Sequence, residues 1–240
     1  MYNDIISNNI DHIINLLYKR GIVAAKRYEY LGEGKYGNAY RCKNLTIKIS
    51  SNEQEAAVAY SLINKKNKNI YNIHNVFKIG LFVSAAQRLF FYIIIYDYLK
   101  PLPKRYRSFV SDSEYLNEED FLFIHDYWHD NYIYRNLLEW QRQGFHRLGE
   151  VDESSEATNK RLCDILFKFF GDYEDLSDMY PSIDILNQIF GAIQFYIETF
   201  RYEPDLHLGN VLYNPATQQI VIIDIGHQGD MKLYDYIEEL

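Results

Sequence analysis

The chain has 240 residues, 48% hydrophobic and 24% charged, with a formal net charge of −8. An aromatic content of 16%, including 23 tyrosines, excludes a disordered chain, and the length suffices for one domain or two small lobes. The acidic balance argues against a general nucleic-acid binder, and the longest apolar run, Leu89 to Tyr96, is too short to cross a bilayer.

In chain order, Ile10, Ile13, Ile14 and Leu17 form one face of an amphipathic helix that Gly21 ends. A strand from Tyr28 and a second through Tyr40 and Cys42 flank a glycine cluster, and Lys43-Asn44 makes a turn. Alternation over Leu45 to Ile49 predicts a third strand, and residues 52–64, rich in Ala, Glu and Gln, predict a helix. Val76 to Val83 and Leu89 to Tyr98 predict two more strands. Beyond Pro101 and Pro103 the pattern turns helical, with candidates at 117–143, 158–170 and 182–200, and a loop marked by Ser154 and Ser155. Asn210 to Tyr213 and Ile220 to Ile223, joined by Asn214-Pro-Ala-Thr217, predict a hairpin. The expected class is α+β, with a mostly β lobe over 1–100 and a mostly helical lobe over 101–240.

Three clusters carry chemistry. Gly32, Gly34 and Gly37 have G-x-G-x-x-G spacing, which also marks dinucleotide-binding turns. Here strand-like residues stand on both sides, so a glycine-rich hairpin that lays backbone N–H groups over phosphates is expected. Lys48 stands between Ile47 and Ile49, which places it on the opposite strand face from them. A covered lysine needs an acidic partner. Glu55 is preferred over Glu53, because Val58, Ala59 and Leu62 lie on its side of the helix. The third cluster is Asp205-Leu-His-Leu-Gly-Asn210, followed by Asp224-Ile-Gly226 at the end of an apolar strand. Asp205 can accept or orient a substrate hydroxyl, and Asn210 and Asp224 are oxygen ligands suited to Mg²⁺.

This ordered set resembles the protein-kinase-like superfamily. Gly32, Gly34 and Gly37 match its glycine-rich loop, Lys48 the lysine of its third strand and Glu55 the helix partner of that lysine. Asp205 and Asn210 match the catalytic loop, and Asp224 with Gly226 the D-F-G motif. His207 gives the D-x-H-x-x-N form seen in aminoglycoside and choline phosphotransferases and in many bacterial and phage kinase-like proteins. The resemblance implies a two-lobed fold with ATP and Mg²⁺ between the lobes, and Tyr96 to Leu99, with Asp97 inside it, as a hinge whose backbone meets adenine. It implies γ-phosphoryl transfer to a hydroxyl, expected on a protein Ser, Thr or Tyr, with a small-molecule acceptor or a non-catalytic nucleotide- or partner-binding module as alternatives.

The chain departs from the family in three ways. Glu203 stands where the family usually has His, the hairpin from Gly37 to Lys48 is short, and only residues 225–240 follow Asp224, without A-P-E. A C-terminally truncated helical lobe is therefore expected, with 104–180 filling the missing platform or docking a protein substrate or activator through aromatics such as Trp128 and Trp140. No direct nucleic-acid or membrane partner is expected. The start carries no basic-then-apolar leader, and Cys42 and Cys163 form no C-x-x-C. Both fit a cytoplasmic setting, the host cytoplasm for a viral or effector protein. His125 and His129, at i and i+4, have zinc spacing but no evident third ligand. They read as structural, as does the tyrosine-rich stretch 127–134. The basic clusters Lys65, Lys66, Lys68 and Lys104, Arg105, Arg107 read as solvated faces.

Overall fold

The computed structural model describes residues 2–65, 68–84, 87–104, 107, 116–128, 132–154, 157–170, 175–200, 206, 209–223 and 237–240. These form two compact units. One takes the described residues up to Lys100 together with 237–240, and the other those from Pro101 to Ile223.

The first unit is a five-stranded antiparallel sheet with a helix on each face. Its strands are β1 (Glu29–Glu33), β2 (Gly37–Cys42), β3 (Leu45–Ser50), β4 (Ile73–Ser84) and β5 (Gln87–Asp97), in the order β1-β2-β3-β5-β4. Helix α1 (Tyr2–Lys19) lays Ile6, Ile10, Ile13, Ile14 and Leu17 on the face made by Tyr40, Ile47, Ile49, Phe77, Ile79, Leu81, Phe91, Ile93 and Ile95. Because side chains alternate, the other face carries Ala39, Lys48, Ser50, Tyr92 and Ile94 in register. Helix α2 (Glu53–Leu62) packs there against β3, β4 and β5. A one-residue slip of β3 would drive Lys48 into the isoleucine core, so the apolar pattern fixes which way the lysine faces. The two-residue turn after β2 has Lys43 at φ 57°, matching the short hairpin read from the sequence.

The second unit is helical around α7 (Tyr180–Phe200), which packs against α3 (Glu118–Tyr127), α4 (Tyr132–Arg142) and the 3-10 turn Leu176–Met179. Helices α5 (Leu148–Ser154) and α6 (Ala157–Phe170) pack on each other. The hairpin β6 (Val211–Asn214) and β7 (Gln219–Ile222) lies on α7, where the Ile220 N–H donates to Gln188 Oε1 at 2.6 Å.

Two expectations need correction. The span 117–143 is two helices, because Trp128 leaves α3 with an extended backbone (φ −77°, ψ 127°) and buries its ring edge-on against Phe190 at 5.2 Å. Ser154 closes α5 instead of marking a loop; this short helix is held by the buried Leu148 and Val151. Its start is set by Glu150, whose carboxylate accepts the His146 N–H at 2.7 Å and the Arg147 N–H at 3.3 Å. The His146 bond is the main reason the Glu150 carboxyl titrates below its ordinary value.

Candidate active site

Lys48 and Glu55 form an ion pair on the α2 face of the sheet. The Glu55 side chain is 3% exposed and that of Lys48 19%, so the carboxylate is sealed while the lysine side chain keeps some exposure. Sequence order explains the geometry. Asn52 caps α2, its side-chain oxygen accepting from the N–H groups of Gln54 and Glu55 at 3.0 and 3.3 Å. In an ordinary capping box the acid at the third helical position returns to the N–H of the cap. Here Ser50 intervenes: its Oγ accepts from the Asn52 N–H at 3.1 Å and donates to Glu55 Oε2 at 2.7 Å. The other carboxylate oxygen of Glu55 meets Lys48. Glu53, the rival partner, goes elsewhere. It bonds the Tyr92 hydroxyl, which burial first and this carboxylate second push up to a pKa of about 12.

The glycine cluster forms the expected hairpin. The Gly34 N–H donates to the Gly37 carbonyl at 2.8 Å, closing the turn. The Ser51 N–H and hydroxyl both donate to the Tyr36 carbonyl, at 2.8 and 3.0 Å, and tie the loop to the residue after β3. Gly37 is fixed by close approach: a Cβ there would sit 1.8 Å from the Ile49 carbonyl oxygen. Gly32 takes φ +155° where the pairing of β1 with β2 shifts register. From the α1 side, buried Asn38 donates to the Asn3 carbonyl, Ser7 Oγ and Tyr40 Oη at 3.3, 3.1 and 3.2 Å.

Tyr96 to Leu99 leaves the end of β5. Tyr96 is buried edge-on to Tyr71 at 5.0 Å, and Leu99 is buried. Two backbone donors of this segment are already engaged, the Asp97 N–H by the Asn72 carbonyl at 3.3 Å and the Tyr98 N–H by the Asn44 carbonyl at 2.8 Å. The Asp97 carboxylate holds His74 Nε2 at 2.7 Å and accepts from Asn72 Nδ2 at 3.2 Å. Asp97 is thus a local strap between β5 and the start of β4.

Asn210 is buried, one residue before β6. Its carbonyl accepts the Ile223 N–H at 2.7 Å, which extends the β6–β7 ladder by one rung. Gln188 steadies the hairpin from α7 and is itself bonded to Asp184 Oδ2 at 2.7 Å. Sequence reading missed Gln188 and Ser50, since neither has a motif; their roles come from tertiary register.

Asp205, His207, Asp224, Gly226 and Glu203 lie outside the described residues, as does His129. His125 pairs with its neighbour Asp126 at 2.7 Å. Among the described residues no group of three or more His, Cys, Asp or Glu side chains is placed to hold a metal. No described helix is long and apolar enough to cross a membrane. Trp128 and Trp140 are buried, which removes them as a docking surface; they complete the helical core.

No family model matches the chain, and no curated protein matches it. Among solved structures it is similar to the GDP complex of an aminoglycoside 2'-phosphotransferase-IIIa mutant, at 14% identity and a TM-score of 0.34, over 90% of this chain and 71% of that one. It is also similar to the ADP-bound aminoglycoside phosphotransferase APH(2'')-Ib, at 15% identity and a TM-score of 0.30, over 90% of this chain and 70% of that one. Likenesses this weak assign neither activity nor substrate to this chain.

Proposed function

We propose that this protein is a phosphotransferase that moves the γ-phosphoryl group of ATP, bound with Mg²⁺, to the hydroxyl of a small-molecule acceptor. The observation that carries this reading is the Lys48–Glu55 pair beside a glycine hairpin. A sealed carboxylate orients the lysine from one side while the Lys48 side chain stays partly exposed, which suits an anion such as a nucleotide phosphate. Phosphoryl transfer depends mainly on positioned charge, so a pre-oriented lysine is the feature such a reaction asks of the sheet.

The oxygen donors at the other motif fit Mg²⁺: the Asn210 amide and the Asp224 carboxylate are hard ligands. Bound Mg²⁺ would neutralise charge on the phosphates. Asp205 would accept the proton of the acceptor hydroxyl as its oxygen bonds to the γ-phosphorus. The bond to the β–γ bridging oxygen breaks, and ADP leaves. The Asp97 and Tyr98 N–H groups, already engaged by the Asn72 and Asn44 carbonyls, would not be the adenine contacts. The small-molecule acceptor is favoured by the D-x-H-x-x-N spacing of Asp205, His207 and Asn210, and no observation favours a protein acceptor.

The test is incubation of pure protein with γ-labelled ATP, Mg²⁺ and a panel of amino sugars, amino alcohols and nucleosides, with Lys48→Met as control. Label should move to a low-molecular-mass product and only with wild type. Label confined to protein, or equal turnover by Lys48→Met, overturns the reading.

A further inference from the structure

β4 is an edge strand, and an unpaired edge invites another strand. Lys78 lies opposite Tyr92 of β5, while its own N–H and carbonyl are taken by other residues. The N–H donates to the Glu238 carbonyl at 2.9 Å and the carbonyl accepts the Leu240 N–H at 2.8 Å. Lys78 and Glu239 thus form a parallel bridge.

Side chains 238–240 alternate as a strand demands. Glu238 and Leu240 point to the α1 face, where Glu238 pairs with Arg20 just past the end of α1 and Leu240 packs against the sheet core. Glu239 points to the opposite face and pairs with Arg88 of β5. Arg88 reaches the edge by crossing Gly80 of β4. A Cβ on Gly80 would lie 1.9 Å from Arg88 Nε, so only glycine leaves that path open. Phe90 supports the guanidinium at 5.0 Å.

We propose that the β4 edge, with Arg20, Arg88 and Gly80, is a built receptor site for the chain's own Glu238-Glu239-Leu240 strand, and that seating this strand latches the chain downstream of Asp224 to the sheet that carries Lys48. Two cations read two acids on opposite faces, backbone groups read extended geometry, and the apolar α1 face of the sheet takes Leu240. This is strand addition to a sheet edge, with side-chain pockets giving specificity.

The test is amide hydrogen exchange on full-length variants, which needs no knowledge of the reaction. Deleting residues 238–240 should speed exchange at Lys78 about tenfold or more, while Ile47 and Ile49 inside the sheet stay protected. A synthetic peptide of residues 232–240 added to the shortened chain should restore Lys78 protection, and one with Glu238 and Glu239 changed to Lys should not. Arg88→Glu and Glu239→Arg should each speed exchange at Lys78, and the two together should return it towards wild type. Unchanged exchange after deletion overturns the latch. Equal restoration by both peptides, or a double swap no better than the single ones, overturns the charge reading that defines the site.

Discussion

Replacing Lys48 by Met tests the central pair. Glu55 is 3% exposed, so the variant leaves a sealed carboxylate with the Ser50 hydroxyl in place of a full counter-charge. Removing one partner of a buried pair costs about 3–5 kcal/mol. Water reaches Lys48 at 19% exposure, which favours the lower end, about 3 kcal/mol. Glu55→Gln should cost less, about 1–2 kcal/mol, because its amide can keep a bond to Ser50 and Lys48 can turn to water. Lys48→Met combined with Glu55→Leu should recover most of the loss, since an apolar pair of similar volume is often near neutral in such a site. Urea unfolding of wild type, Lys48→Met, Glu55→Leu and the double variant gives a coupling energy, expected at about 2 kcal/mol or more. Nucleotide-induced thermal shifts, read separately, should vanish in every variant lacking Lys48. A coupling energy within about 0.5 kcal/mol of zero would mean that the pair behaves like an exposed one and would refute the argument. A wild-type nucleotide shift in folded Lys48→Met would refute its role at phosphate.

Four more outcomes are expected. Gly37→Ala should destabilise by about 1–3 kcal/mol, read by urea unfolding, because its Cβ would lie 1.8 Å from the Ile49 carbonyl oxygen. Ser50→Ala should lower stability by about 1–3 kcal/mol and weaken nucleotide binding, since it removes the partner of both the Asn52 N–H and Glu55. The lowered Glu150 carboxyl contributes stability above its ordinary value of 4.5 that is lost as pH falls through the still lower folded value; Glu150→Gln should flatten that acid limb in a pH series of unfolding curves. The Tyr92 phenol, raised from 10.0 to about 12, stays protonated in the fold while the unfolded chain ionises, so stability should fall as pH rises across that interval, and Tyr92→Phe should lose this component.

The sheet half was legible because its signals are local. Period-two alternation at Ile47-Lys48-Ile49, the 3.6-residue spacing of Ile10, Ile13, Ile14 and Leu17, and the Lys43-Asn44 turn each specify one element without help from distant residues. The helical half was less legible. Nothing in the order of 117–143 announces that Trp128 leaves the helix to fill a space beside Phe190, a packing event between distant residues. The same limit hid the roles of the two tryptophans. Aromatic residues on an amphipathic helix serve a core or a partner equally well until the neighbouring helix is placed. The strand at 238–240 was missed because Glu-Glu-Leu is too short to show a period and is held by Lys78, Arg20 and Arg88, all far upstream.

The Lys48–Glu55 pair shows how a chemical arrangement emerges from ordinary folding rules. Ile47 and Ile49 must face α1, so Lys48 must face away. Asn52 must cap α2, so Glu55 arrives three residues later at the position that would normally turn back onto the cap. Ser50, on the Lys48 face of β3, accepts the Asn52 N–H in its place and leaves a carboxylate oxygen for the lysine. Each step meets a local need: core burial, a satisfied helix end, a paired buried charge. A partly exposed lysine of fixed direction then follows, with its carboxylate partner sealed behind it. The register of one strand and the phase of one helix cap set the pair, so changes at Ile47, Ile49 or Asn52 should disturb nucleotide binding through geometry, although none of these side chains needs to touch the ligand.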